Sequence, residues 1–133
     1  MARILAIDDE APFRVVLEKM LRALGHEVVL AADGQEGMKL AMQGHLDLVI
    51  TDLYMPNQDG LETIIGLRKI APRLGIIAIS GKPAGGPLLR VAQHLGAVSI
   101  LYKPFSVEEL AVALSQATQP TSPGTATPGS TSR

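Results

Sequence analysis

The chain has 133 residues, the usual size of a single domain, with a formal net charge of −1, 47% hydrophobic and 3% aromatic residues. The near-neutral charge without a basic run argues against direct nucleic-acid binding, and the lack of cysteine excludes disulfides and thiol catalysis. Acidic residues come too early for a signal peptide and no apolar run has membrane-spanning length, so we expect a cytoplasmic protein without membrane insertion.

Five short apolar runs alternate with five segments of helical periodicity. The apolar runs are continuous, which is typical of parallel strands covered on both faces. Pro12 suits a first helical turn, and two capping boxes, Asp33 with Glu36 and Ser106 with Glu109, mark further helix starts. The predicted strands are Arg3–Ile7, Glu27–Ala31, Leu46–Thr51, Gly75–Ser80 and Val98–Leu101. Four predicted helices cover residues 12–24, 33–43, 88–95 and 106–116. The third helix in chain order is predicted to begin at a cap at Asp59 and to end before Pro72.

Two segments are expected to lack regular structure. Residues 81–87 contain three glycines and two prolines, which predicts an irregular, mobile loop after the fourth strand. Residues 118–133 are rich in proline, serine, threonine and glycine, which predicts a disordered tail behind a folded domain of residues 1–117. Such a tail also suits a linker, so the chain could be the N-terminal part of a longer protein.

Polar side chains follow four of the predicted strands. Asp8 and Asp9 follow the first strand, Asp52 the third and Lys103 the fifth, while Ser80 ends the fourth. Each residue alone has an ordinary interpretation as a helix cap or a solvated side chain. In a doubly wound parallel sheet, however, the C-terminal strand ends share one edge, and ligands bind beyond it. We therefore expect one site assembled from these five residues.

The predicted site is rich in carboxylates. Several carboxylates cannot all ionise cheaply in one place without a cation, and an all-oxygen site suits Mg²⁺. Asp9 and Asp52 are candidate direct ligands, with Asp8 acting directly or through water. A carboxylate is also a possible nucleophile toward phosphorus. Mg²⁺, the Lys103 ammonium, the Ser80 hydroxyl and backbone N–H groups after Asp52 could then compensate charge on the phosphoryl oxygens.

This set of motifs resembles the receiver domain of two-component response regulators. The resemblance covers roughly residues 2–117 and rests on Asp8-Asp9, on DLYMPNQDG from Asp52 to Gly60, on Ser80, and on Lys103-Pro104-Phe105. It implies an α/β fold of the flavodoxin-like kind, a doubly wound parallel sheet of five strands in the order 2-1-3-4-5 with five helices.

The resemblance also implies a role for each site residue. Asp52 would be the phospho-acceptor, and Mg²⁺ would be held by Asp8, Asp9, Asp52 and the backbone carbonyl of Tyr54. Ser80 would donate a hydrogen bond to the phosphoryl group, and Lys103 would pair with a phosphoryl oxygen. The Lys103-Pro104 bond would be cis.

The resemblance further implies a signalling role. A sensor histidine kinase or a histidine phosphotransfer protein would donate the phosphoryl group. The surface from helix 4 to helix 5 would then switch for a downstream protein. The chain would not be an enzyme beyond its own Mg²⁺-dependent autophosphorylation and autodephosphorylation. Ile100 stands where the family often has Tyr or Phe, and the nearby aromatic residue is Tyr102, so we expect the loop over 81–87 to carry more of the change.

Three other functions fit parts of the sequence. A haloacid-dehalogenase-type phosphatase would need an acid two residues after the nucleophile, where this chain has Tyr54. A flavodoxin-like cofactor carrier would need a loop after the first strand that binds phosphate, but here that loop is acidic. A receiver-shaped module that binds its partner constitutively is disfavoured by the complete set of site residues, although Ile100 is compatible with it.

Overall fold

The computed structural model describes residues 1–55, 60–81, 86–97 and 99–118. Within these ranges, strands and helices alternate as the sequence predicts, and no helix is long and apolar enough to cross a membrane. The strands are β1 (Arg3–Ile7), β2 (Glu27–Ala31), β3 (Leu48–Asp52), β4 (Gly75–Ser80) and β5 (Ser99–Tyr102). The helices are α1 (Ala11–Ala23), α2 (Gly34–Met42), α3 (Gly60–Ile70), α4 (Gly86–His94) and α5 (Val107–Thr118).

The five strands form one parallel sheet in the order β2-β1-β3-β4-β5, which confirms the predicted fold class and strand order. Two hydrophobic clusters lie on its opposite faces because successive strand side chains alternate in direction. The first cluster joins strand residues such as Ile4 and Ile50 to α1 and α5. The second joins Leu5 and Val49 to α3 and α4. The two clusters confirm the prediction that both faces of the sheet are covered.

The predicted capping box of Ser106 with Glu109 forms in full, whereas that of Asp33 with Glu36 forms only on the Asp33 side. The carboxylate of Asp33 accepts the N–H of Glu36 at 2.8 Å, and the Glu36 carboxylate accepts the N–H of Ala32 at 2.7 Å. At the start of α5, the Ser106 hydroxyl accepts the N–H of Glu109 at 3.0 Å, and the Glu109 carboxylate accepts the N–H of Ser106 at 2.9 Å. The bonds to the N–H groups of Glu36 and Glu109 satisfy backbone donors that the first helical turn leaves free.

Some boundaries differ from the predicted ones. Strand β3 begins at Leu48 instead of Leu46, because Gly44 (φ 82°) and His45 (φ 69°) turn the chain before it. The strand also includes Asp52, so this carboxylate belongs to the last paired residue. Helix α4 begins two residues before the predicted start. The predicted cap at residue 59, the loop residues 82–85, residue 98 and the tail over 119–133 lie outside the described residues.

The guanidinium of Arg68 ties α3 to the elements that follow it. Its three nitrogens donate to four backbone carbonyls near the start of β4 and the end of α4. The acceptors are Pro72 (3.0 Å), Leu74 (2.6 Å), Leu95 (3.3 Å) and Gly96 (2.6 Å). Burial lowers the pKa of Arg68, but a guanidinium keeps its charge in proteins. The side chain therefore fixes the end of α4 against the second face of the sheet.

Arg68→Lys is expected to lower the free energy of unfolding by about 1 to 3 kcal/mol, because a lysine ammonium cannot reproduce the planar fork that reaches these carbonyls. Urea denaturation measures the change. Arg73→Lys, at an exposed position a few residues later, is the matched control and should leave the urea midpoint unchanged. Equal effects of the two substitutions would contradict a bridging role for Arg68.

Candidate functional site

Three strand ends bring the predicted charged residues to one edge of the sheet. In the register, Thr51 lies opposite Ile7, so Asp8 and Asp52 continue two adjacent strands side by side. Ser80 pairs with Tyr102, and the N–H of Lys103 donates to the Ser80 carbonyl at 2.8 Å. The sheet pairing thus extends to the residue that carries the ammonium.

The Lys103 ammonium lies among three carboxylates. Its Nζ is 2.9 Å from Asp8 Oδ2, 3.1 Å from Asp52 Oδ2 and 2.6 Å from Glu10 Oε1. The Asp8 side chain is fully buried and that of Asp52 is 6% exposed, whereas Glu10 is 62% exposed. The Lys103 ammonium therefore contacts two buried acids, Asp8 and Asp52, and one solvent-exposed acid, Glu10.

The carboxylate of Asp52 is held by its own strand end. Its Oδ1 accepts the N–H of Tyr54 at 3.0 Å, and its Oδ2 faces Lys103. Burial raises the pKa of Asp52 to about 6, and the charge of Asp8 adds to the rise. The hydrogen bond from Tyr54 and the Lys103 ammonium oppose it. Asp52 is consequently ionised near neutral pH, but its charge is poorly compensated.

The carboxylates in turn favour the charged form of Lys103. Burial works to lower its pKa, but hydrogen bonds to Glu10 and Asp8 and the charges of Asp52 and Asp8 outweigh burial and raise the pKa. The same hydrogen bond to Lys103, together with its charge, lowers the pKa of Glu10. Lys103 is therefore a permanent cation in this site.

The oxygen atoms at this edge suit a hard cation. Asp8, Glu10 and Asp52 each offer a carboxylate oxygen, and these oxygens lie within 4.8 Å of one another. Asp8 Oδ2 is buried, and among the residues that the structure describes it contacts the Lys103 ammonium at 2.9 Å. An all-oxygen donor set that includes two buried carboxylates fits Mg²⁺.

The cluster contains only two of the predicted carboxylate ligands, Asp8 and Asp52. Asp9 is exposed and is not one of the three clustered acids, but it lines the same open cavity, of about 290 Å³. The cavity is also lined by Glu10, Asp52, Tyr54, Gly81 and Lys103. Sequence reasoning missed Glu10 as a member of the site. Its position directly after Asp8-Asp9 was the signal for it.

The remaining residues of the predicted site lie on β4 and β5. Ser80 is fully buried at the end of β4, and the next residue, Gly81, lines the cavity. Along β5, Ile100 is half-buried against the second cluster, whereas Tyr102 is 51% exposed. The Lys103-Pro104 bond is cis, as expected.

Comparisons with known proteins agree with the fold. The family model for the response regulator receiver domain matches residues 4–115. The transcriptional regulatory protein PdtaR of Mycobacterium tuberculosis is 40% identical over 115 residues, which cover 84% of this chain and 54% of PdtaR. The DNA-binding transcriptional regulator NtrC of Azospirillum brasilense is 35% identical over 127 residues, which cover 96% of this chain and 26% of NtrC.

Solved structures give the same result. A response regulator receiver domain protein from Clostridium thermocellum aligns with a TM-score of 0.83 and 30% identity over 89% of this chain and 94% of that chain. The chemotaxis protein CheY4 of Vibrio cholerae aligns with a TM-score of 0.81 and 29% identity over 88% of this chain and 98% of CheY4. The chain spans about half or less of the two curated relatives. It belongs to the response regulator receiver domain family.

Proposed function

We propose that this chain is a phosphorylation-controlled switch in which Asp52 accepts a phosphoryl group from a sensor histidine kinase or a histidine phosphotransfer protein. The observation that carries the proposal is the position of Asp52. Its carboxylate lies in an open cavity, 3.1 Å from the Lys103 ammonium, with a pKa raised to about 6 by burial. A desolvated carboxylate beside a fixed cation is a suitable nucleophile for phosphorus.

In the transfer, a carboxylate oxygen of Asp52 attacks the phosphorus atom of the donor's phosphohistidine. An O–P bond forms as the P–N bond breaks, and the electron pair of that bond stays on the imidazole nitrogen. The N–H of Tyr54 orients the carboxylate through its 3.0 Å hydrogen bond. The Lys103 ammonium, 3.1 Å from Asp52 Oδ2, lies where it can pair with an oxygen of the transferred phosphoryl group. Hydrolysis of the acyl phosphate by water restores the carboxylate.

Mg²⁺, when bound, would compensate charge on the phosphoryl oxygens. Asp8, Asp9, Asp52 and the backbone carbonyl of Tyr54 are the residues that we propose hold it. The close approach of the buried Asp8 and Asp52 carboxylates supports this assignment. In this proposal the chain is the acceptor of a phosphoryl group and catalyses only its own phosphorylation and dephosphorylation, so it is not an enzyme acting on a separate substrate.

The output of the switch is proposed to be the surface formed by α4, β5 and α5. Each of these elements carries an exposed apolar side chain: Val91 is 41%, Tyr102 51% and Val112 58% exposed. The matched relatives include proteins of receiver size and much longer regulators. The surface would accordingly bind either a separate downstream protein or a following domain, and its affinity must differ between the two states to transmit a signal.

The test is phosphorylation of the purified chain by a small-molecule phosphodonor with Mg²⁺, followed by intact mass. We expect one added phosphoryl group that requires Mg²⁺, disappears by hydrolysis and does not form on Asp52→Asn. The matched control is Asp33→Asn, because asparagine caps a helix about as well as aspartate. This control should be phosphorylated like the natural chain.

Phosphorylation of Asp52→Asn at the natural level would show that another residue is the acceptor. If the chain forms no adduct with a small donor, phosphorylated histidine phosphotransfer protein is the second donor to be tried. Failure with both donors, together with no Mg²⁺-induced shift of the Asp8 and Asp52 resonances, would overturn the proposal in favour of the constitutive interaction module.

A further inference from the structure

Phe13 makes a contact with the site that the proposed function does not use. The centre of its ring lies 4.2 Å from the Lys103 ammonium nitrogen, inside the range of a cation–π interaction. Phe13 is the third residue of α1 and is partly buried against the first hydrophobic cluster. The ring therefore approaches the ammonium from a helix, and not from the strand ends that supply Asp8 and Asp52.

The ring is itself held in place. Phe105 follows Lys103 by two residues and is buried, and its ring packs nearly perpendicular to that of Phe13, with 5.7 Å between centroids and an interplanar angle of 82°. Such an edge-to-face pair is a favoured aromatic geometry. The chain contains only these two phenylalanines. Phe105 thus packs against the ring that faces the Lys103 ammonium.

The ring attracts the Lys103 ammonium in a way that does not depend on the chemical state of the carboxylates. A lysine ammonium has three donors, and in the resting protein three carboxylates are close enough to accept them. One of these carboxylates, Asp52, changes chemically when it is phosphorylated, and another, Glu10, is largely solvated. The attraction of the ring face for the cation needs no hydrogen bond and is the same before and after that change.

We propose that Phe13 is a positioning residue that holds the Lys103 ammonium at Asp52 through the face of its ring. The inference rests on the proposed function, since the ordered ammonium serves the phosphoryl group on Asp52. A free lysine side chain loses considerable rotamer entropy when it is immobilised. Phe13 already restricts the Lys103 side chain before the phosphoryl group arrives. Less entropy is then lost on binding, so the ammonium binds a phosphoryl oxygen more tightly.

Phe13→Leu and Phe13→Tyr separate the ring face from apolar bulk. Leucine keeps much of the apolar bulk but removes the π system and the ring pair with Phe105, whereas tyrosine keeps both. We expect Phe13→Leu to weaken binding of beryllofluoride with Mg²⁺, a phosphoryl analogue, by about 2- to 30-fold. Phe13→Tyr should bind it within about twofold of the natural chain. Amide NMR titration measures both affinities, and urea midpoints show that the variants are folded.

A second measurement on the metal-free resting protein separates this inference from the proposed function. Carbon relaxation of the Lys103 side chain should show greater mobility in Phe13→Leu and natural mobility in Phe13→Tyr. Equal behaviour of the two variants in both measurements would overturn the role of Phe13. If the natural chain fails to bind beryllofluoride, the proposed function fails, and the relaxation data alone then decide whether Phe13 positions Lys103.

Discussion

Asp52→Asn is expected to stabilise the metal-free protein by about 2 to 3 kcal/mol at about pH 8, although it removes the proposed phospho-acceptor. The carboxylate has a pKa of about 6 in the folded chain, against an ordinary value of 3.8, chiefly because it is buried and lies near Asp8. Each tenfold change in proton affinity corresponds to about 1.4 kcal/mol, so the ionised form costs the folded state about 3 kcal/mol. An uncharged amide of the same shape removes that cost.

The stabilisation should depend on pH in a defined way. Above the folded pKa of about 6, Asp52 is ionised in both states, and the natural chain bears the full cost. As the pH falls from about 7 to about 4, the folded state takes up a proton before the unfolded state does, so the cost disappears. The difference between Asp52→Asn and the natural chain should therefore shrink over this interval and vanish near its lower end.

Urea denaturation in a chelating buffer at several pH values measures this difference. Asp33→Asn is again the matched control and should follow the natural chain at every pH. An unfolding free energy of Asp52→Asn that is lower than natural, or higher by the same amount at every pH, would contradict a costly buried charge at residue 52. Added Mg²⁺ should stabilise the natural chain more than Asp52→Asn, because one proposed ligand is missing from the variant.

Gly60→Ala is expected to destabilise the chain by about 2 to 3 kcal/mol, because the added methyl group has no space. A Cβ at Gly60 would overlap the carbonyl oxygen of Asp52 and lie 2.5 Å from the Cα of Leu53. Both are backbone atoms at the end of β3, where the N–H of Leu53 donates to the Ile79 carbonyl at 2.9 Å. The substitution therefore has to move the strand end that carries the Asp52 carboxylate.

Gly66→Ala is the control within the same helix. A Cβ there would lie 3.0 Å from Cε and 3.1 Å from Sδ of Met38, the flexible end of a side chain that can move away. Alanine also favours a helix interior over glycine by about 1 kcal/mol, so Gly66→Ala should change the stability by less than about 1 kcal/mol or raise it.

Urea midpoints and the amide resonances of residues 52–54 report both substitutions. Gly60→Ala should lower the midpoint and shift these resonances, whereas Gly66→Ala should leave them in place. If the two variants have the same stability, the close approach of α3 to the end of β3 does not constrain the site.

The sequence alone predicts the order of strands and helices because the signals are local. Continuous apolar runs, helical periodicity and the capping boxes at Asp33 and Ser106 each act within a few residues. The convergence of Asp8, Asp52 and Lys103 also follows from the sequence, since every parallel strand points its C-terminal end toward the same edge. The start of β3 was less predictable, because the turn at Gly44 and His45 delays the strand pairing to Leu48 although the apolar Leu46 reads as a strand start.

Only the tertiary structure decides which side chains meet around Lys103. Asp8 and Asp9 are neighbours of the same type, yet Asp8 is buried and Asp9 is exposed, because successive side chains near a strand end point in opposite directions. Glu10 and Phe13 reach the lysine from the first turn of α1, ninety or more residues away in sequence. Such contacts depend on how α1 packs on the sheet, and no local pattern encodes that packing.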